Sequence, residues 1–173
     1  MTKYTPEEAR KKFKECFEGM YDVCADQGWG DPFSYARSRE IHMAIELGHD
    51  VADTYSGADA YDDGKPVEYK STIGDNINAT YNGISVKDTW EEQDEYLREE
   101  KLLKYDDHYY ARYEHGNIVE LWHLKGQQVY DYLQPRLETK YKRLKSRAKQ
   151  AADPRLGDNI CASYIRSNAK ALR

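Results

Sequence analysis

The dipeptide Asp63-Gly64 constrains this chain more than any other feature. It separates GADAYD from KPVEYKST, two short runs of strand-like residues. An Asp-Gly pair in that setting is a preferred two-residue β-hairpin turn, because both positions must tolerate positive φ. So short a turn fixes the register. Asp62 then pairs with Lys65, and Asp59 falls opposite Glu68, with Cβ atoms roughly 5 Å apart on one face. Lys70 projects from that same face, whereas Val67 and Tyr69 project from the other and enter the core.

Like charges placed opposite each other destabilise a sheet unless something positive lies between them. A carboxylate pair beside an ammonium points to a hard divalent cation. Magnesium takes oxygen ligands, typically one or two carboxylates together with phosphate oxygens. Lys70 is then placed to position or activate a water, or to neutralise developing charge. The structural alternative makes Glu68 and Lys70 the solvent face of an amphipathic strand and Asp59 an acid flanking a turn. A third acid joins the set from a helix. Ala36, Glu40, Met43 and Leu47 fall along one stripe, and Glu40 interrupts its apolar character. Its alternative is a salt-bridged surface role.

The remaining elements follow from period and punctuation. Thr5-Pro6 opens a helix through about Gln27, which Gly28-Trp29-Gly30 breaks. Asp31-Pro32 predicts a second helix, from an N-cap with proline at the first helical position, ending at Gly48. DVADTY (50–55), GADAY and PVEYKST read as strands, and INATYNGISV (77–86) as a hairpin turning at Asn82-Gly83. Thr89 and Glu92 form a capping box for a helix to about Lys104. DHYYARYE and NIVELWHLK flank His115-Gly116 as two strands. A long helix follows, with Pro135 as a candidate kink. DPRLGDN reads as a loop and 159–170 as a last helix. The expected class is α/β or α+β: one domain over 1–173, a central mixed sheet flanked by helices, a core over about 32–124 and a basic helical region over about 126–173.

Composition excludes several functions. No run reaches transmembrane length, and MTKYTPEEARKKF has no apolar signal core. Cys16, Cys24 and Cys161 lack metal-ligand spacing and are odd in number, so a reducing, cytoplasmic setting is expected. His108, His115 and His123 show no HxxxH spacing and read as packing or surface residues. No Gly-rich phosphate loop or GxSxG elbow is present. Net charge is −5, but it is unevenly spread. From Arg136 onward there are 11 Lys/Arg against 3 Asp/Glu, and KYKRLKSRAK alone holds six basic residues. Such a segment is either a solvated helix face or a contact surface for a polyanion.

Glu40 on a helix, Asp59 on a strand and Glu68-Tyr69-Lys70 on the next resemble the PD-(D/E)xK, or restriction-endonuclease-like, nucleases. Their α-β-β-β-α-β core is similar to the order expected over about 32–114. Ala58 stands where the motif has proline, and Gln93 and Tyr96 are one residue short of a glutamine-tyrosine signature found in some subfamilies. The resemblance implies that Asp59, Glu68 and the Tyr69 carbonyl bind Mg2+, with Mn2+ able to substitute. It implies that Lys70 assists the attacking water and that Glu40 is an accessory acid. The activity implied is metal-dependent cleavage of double-stranded DNA, most like a type II restriction endonuclease acting as a homodimer. A Holliday-junction resolvase and a non-catalytic DNA-binding protein on the same fold are the alternatives. Lys142, Arg143, Lys145, Arg155 and Asn82 are the candidate DNA contacts.

Overall fold

The structure is a computed structural model that describes residues 3–53, 57–146 and 153–173. The end of the DVADTY segment, and Arg147 and Lys149 of the basic run, lie outside the described residues. Helix α1 (Pro6–Gln27) opens on a reciprocal capping box between Thr5 and Glu8 and ends at Gly28, φ 69°. The second helix begins later than Asp31-Pro32 suggests. Asp31 does accept the Phe33 N–H at 2.9 Å, but Tyr35 has φ 49°, which ends any helix started at Pro32. Helix α2 therefore spans Arg37–Leu47 and stops at Gly48.

Strands β1 (Asp50–Val51), β2 (Ala60–Asp62) and β3 (Lys65–Thr72) follow. Asp63 and Gly64 both have positive φ, 47° and 78°, as a two-residue hairpin turn of this kind requires. Asp62 pairs with Lys65, Tyr61 with Pro66 and Ala60 with Val67. The ladder ends there, one step short of the Asp59–Glu68 pair that an unbroken hairpin would form.

Strand β4 (Ala79–Ser85) corrects the expected second hairpin. Asn82-Gly83 forms an irregularity within one continuous strand, which pairs antiparallel with β7 (Arg155–Ile160). The shift leaves Tyr81 and Ile84, on either side, both buried, which uninterrupted alternation would forbid. The expected DPRLGDN loop is thus largely strand. Gly157 allows the close approach: a Cβ there would lie 2.3 Å from Asn82 Oδ1 and 2.9 Å from the Tyr81 carbonyl oxygen.

Helix α3 (Trp90–Tyr96) starts at the Thr89–Glu92 capping box and continues into a π-helical turn over Leu97–Lys101. Strands β5 (Asp107–Glu114) and β6 (Asn117–Lys125) turn at His115-Gly116. Helix α4 (Gly126–Lys145) runs through Pro135. The last predicted helix is shorter than expected: α5 covers Ala162–Asn168, between β7 and a two-residue strand β8 (Lys170–Ala171). The C-terminal region is therefore not purely helical.

The architecture is mixed α/β. Six strands form one sheet in the order β1-β2-β3-β5-β6-β8, and β4 and β7 form a separate ribbon. Strand β3 runs parallel to β5, and the other pairs are antiparallel. Alternation along β5 divides the core. Tyr109, Ala111 and Tyr113 join Met43 and Ala44 of α2 together with Val67 and Tyr69. Tyr110 joins α4 and the ribbon through Tyr81, Ile84, Leu133, Leu137 and Ile160. Among the described residues, no helix is long and apolar enough to cross a membrane.

Candidate active site

Among the described residues, no strand continues the β2 ladder along β3 beyond Val67. There the Tyr69 N–H donates to the Asp59 carboxylate at 2.7 Å, so a side chain takes the place of a missing strand partner. The Asp59 N–H in turn donates to the Val67 carbonyl at 3.1 Å. Glu68 and Lys70 project from the face of β3 opposite Val67 and Tyr69, toward the β4–β7 ribbon. The Lys70 ammonium pairs with the Glu68 carboxylate and donates to the Tyr69 carbonyl at 3.2 Å.

Glu40 reaches the same place from α2. It lines a cleft of about 270 Å3 with Tyr69, Lys70, Ser71 and Thr80. A neighbouring cleft of about 260 Å3 is lined by Glu68, Lys70, Thr80, Tyr81, Asn82 and Tyr105 among others. Lys70 and Thr80 border both. The structure thus brings together Glu40, Asp59, Glu68 and Lys70, and sets Asn82 at the rim.

The electrostatics follow from this crowding. Burial pushes the Asp59 carboxyl up to about 8; Glu68 and Glu40 add to the rise, while Lys70 and the Tyr69 N–H oppose it. Burial works against the Lys70 ammonium, yet Glu68, Asp59 and Glu40 hold its pKa above the ordinary value. Acids thus outnumber the one lysine, and the site has unspent affinity for positive charge.

Two features of the site escape the sequence reading. Arg37 is 2% exposed. It lies 3.5 Å from Glu40, and its guanidinium donates to the Trp29 carbonyl at 2.8 Å and to the Ala52 carbonyl. It therefore ties α2 to the segments before and after it while fixing the position of Glu40. The spacing of Arg37 and Glu40, three apart on one helix, is the signal that could have revealed it.

The second feature is a buried polar chain beneath Lys70. His108 Nε2 lies 3.0 Å from the Leu102 carbonyl, so that nitrogen carries the proton. Nδ1 must then accept from the Tyr81 hydroxyl at 2.9 Å. Tyr81 in turn accepts from the Tyr110 hydroxyl at 2.8 Å. Burial lowers the His108 pKa to about 4, which keeps the ring neutral. The Tyr81 ring centroid lies 5.3 Å from Lys70 Nζ, within cation–π range.

The donor set suits a hard cation. Asp59, Glu68 and Glu40 offer carboxylate oxygens, and the Tyr69 carbonyl oxygen accepts from Lys70. Among the described residues, no three His, Cys, Asp or Glu side chains are grouped closely enough to hold a metal by themselves. Magnesium does not require such a cage, since it commonly keeps waters and uses one or two carboxylates with phosphate oxygens.

The candidate DNA contacts differ in their commitments. Lys142 pairs with Glu138 at 2.6 Å. Arg155 pairs with Asp153 at 2.7 Å and also bonds to the Ser85 hydroxyl. Lys145 Nζ sits 5.4 Å from the Tyr141 ring centroid. Arg143 and Arg155 share a shallow cleft with Lys140 and Gly157. Because Gly157 packs on Asn82, this basic cleft lies along the same ribbon as the carboxylate site. No protein-family model matches the chain, and no curated protein matches it.

Proposed function

We propose that the protein is a divalent-metal-dependent endodeoxyribonuclease of the restriction-endonuclease-like type, acting on double-stranded DNA. The observation that carries this reading is the Asp59 carboxylate docked on the Tyr69 N–H beside Glu68 and Lys70, with Glu40 adjoining. The order α2-β1-β2-β3-β4-α3-β5, in which β4 leaves the main sheet for the ribbon and β5 lies parallel to β3, supports it. So does the basic cleft along the ribbon.

Asp59, Glu68 and the Tyr69 carbonyl would hold Mg2+ or Mn2+, with Glu40 as the outer acid. When bound, the metal lowers the pKa of water and offsets charge on a phosphodiester. Lys70 is the residue positioned to orient that water and to hold charge developing on the phosphate. For this its ammonium would have to release Glu68, with which it pairs.

The test is digestion of plasmid, phage DNA and a four-way junction, with and without Mg2+, by the wild-type protein and by Asp59→Asn. Cutting that needs the metal and is lost in the variant supports the reading. Defined ends on linear DNA indicate a restriction-type enzyme, and preference for the junction indicates a resolvase. Binding without cutting in every metal would leave the non-catalytic reading standing and sink the enzyme.

A further inference from the structure

We propose that the cleft beside Arg39 is a nucleotide subsite, in which Arg39 takes the phosphate of a nucleotide close to the one that is cut. The inference rests on the nuclease reading and names a part of the substrate that the carboxylates leave unheld. It starts from the Arg39 guanidinium, which is half-buried and donates through Nε to the Ser71 hydroxyl at 2.8 Å. Among the described residues Arg39 forms no ion pair. Its neighbours on α2 differ, since Arg37 and Glu40 face each other at 3.5 Å. A guanidinium anchored through Nε presents both Nη groups, the two-pronged edge that matches a phosphate.

Ser71 sets where that edge lies. It lines the carboxylate cleft with Glu40, Tyr69 and Lys70, whereas Arg39 lines a cleft of about 710 Å3 with His42, Ile73, Asp75, Tyr113 and Glu114. The Arg39–Ser71 bond is the partition between the two. Along β3, Ser71 stands two residues past Tyr69, about 7 Å, and DNA advances about 3.4 Å per nucleotide along its axis. A strand whose scissile phosphate meets the Tyr69 carbonyl therefore brings a phosphate about one or two nucleotides away to Arg39. Size agrees. The clefts at the carboxylates, about 270 and 260 Å3, have room for a phosphodiester and an ion. The larger one falls in the range of about 300–1,000 Å3 that holds whole small molecules.

The walls suit a base. The His42 side chain is 41% exposed, and its ring is held by the Tyr113 hydroxyl, 3.1 Å from Nδ1. Ile73, 75% exposed, adds an apolar surface. A base can stack on an imidazole whatever its sequence context. Two acids also border the cleft. Glu114 is paired with Arg112. Asp75 is exposed and opposes a phosphate, which supplies a test of opposite sign. An Arg39 that only tethers α2 to β3 needs the Ser71 bond and is indifferent to phosphate.

The full chain, in chelator, is titrated with thymidine 5′-monophosphate, thymidine and inorganic phosphate and followed by amide chemical shifts. The monophosphate should shift residues 38–42, 72–75 and 113–116 and bind about tenfold or more tighter than either fragment. Arg39→Gln should weaken it about tenfold or more, the loss of a charge-assisted contact. Asp75→Asn changes an exposed side chain, leaves the fold intact and should tighten binding about twofold. Ser71→Ala, which cuts the tether and keeps the charge, should cost less than Arg39→Gln. On duplex DNA in Ca2+, Arg39→Gln should lower the salt slope by about 0.9. Thymidine binding as well as the monophosphate, shifts elsewhere, or an Arg39→Gln protein that binds like wild type would overturn the subsite. Monophosphate binding with an unchanged DNA slope would give the cleft to a free nucleotide and overturn its place on the cut strand. The first titrations need neither metal nor cleavage. An inactive protein that still binds the monophosphate through Arg39 would therefore sink the nuclease reading alone, and an active one that does not bind it would sink the subsite alone.

Discussion

The Tyr69 backbone N–H donates to the Asp59 carboxylate at 2.7 Å, which makes Asp59 both a backbone partner of β3 and an acid that interacts with Glu68 and Lys70. The two roles separate under mutation. Asp59→Asn keeps an acceptor for Tyr69 and removes a charge repelled by Glu68, so the metal-free protein should melt at the same temperature or higher. Asp59→Ala leaves the N–H without its partner and should cost about 1–3 kcal/mol. Both should lose metal-dependent cutting. Thermal melts in chelator, beside a cleavage assay, read the two effects apart. Equal destabilisation by Asn and Ala would mean the charge, not the hydrogen bond, holds the edge.

The pH dependence of stability should have two separable arms. The Asp59 carboxyl rises from 3.8 to about 8 in the fold. A group whose folded pKa is raised contributes stability that is complete below its unfolded value and is lost as pH climbs through the folded one. His108 falls from 6.5 to about 4, so its neutral ring costs stability only as pH drops below 6.5. Between about 6.5 and 8 the decline therefore belongs to Asp59. Asp59→Asn should flatten that arm and leave the acid arm in place. A divalent ion, which displaces the proton, should raise the melting temperature most at the alkaline end. Melts across this range with chelator and with Mg2+ check the signs.

Much of this site is legible in the sequence because it depends on local rules. Asp63-Gly64 fixes the register by turn geometry, and period two then sets Glu68 and Lys70 on one face and Val67 and Tyr69 on the other. What local rules miss depends on distant partners. Asn82-Gly83 has the signature of a two-residue turn, but β7 arrives from more than 70 residues away and holds the segment straight. RLGDNI in turn has too few β-branched residues to announce a strand. The second helix is misplaced because an N-cap and a proline are necessary signals, and the positive φ of Tyr35 leaves no trace in residue type. The Tyr81–His108–Tyr110 chain joins β4 to β5 and, through the Leu102 carbonyl, to a third segment, so spacing could not reveal it.

That chain yields the third prediction. Tyr81→Phe keeps the ring beside Lys70 but removes the hydroxyl that His108 and Tyr110 both use. Losing one buried hydroxyl and leaving two buried partners unsatisfied should cost about 1–3 kcal/mol. Cleavage per folded molecule should hardly change, because the cation–π contact survives. Tyr81→Leu removes both, so a further fall in activity at equal folded fraction would assign the ring a part in placing Lys70. Denaturant titrations and single-turnover cleavage separate the two. Full stability in Tyr81→Phe would mean that water replaces the hydroxyl.

The last prediction concerns the basic end of α4, where the structure distinguishes residues that composition treats alike. Arg155 is braced by Asp153 and Ser85. Lys142 forms an exposed pair with Glu138, which contributes little and yields easily to a phosphate. Arg143 lines the basic cleft beside the ribbon. If DNA lies along that cleft toward Asn82, replacing Lys142, Arg143 and Lys145 with Ala should weaken binding similarly on all sequences. Each lost phosphate contact should also lower the salt slope of binding by about 0.9. Arg143→Ala alone should account for the largest single share. Asn82→Ala, at the rim of the carboxylate cleft, should leave the slope intact and alter discrimination between sequences, since phosphate contacts position a protein while base contacts specify its site. Titrations in Ca2+ over a range of salt, with two unrelated duplexes, decide the matter. A triple variant with unchanged affinity and slope would move the DNA path off α4, to the opposite side of the cleft where Lys101 and Lys104 stand.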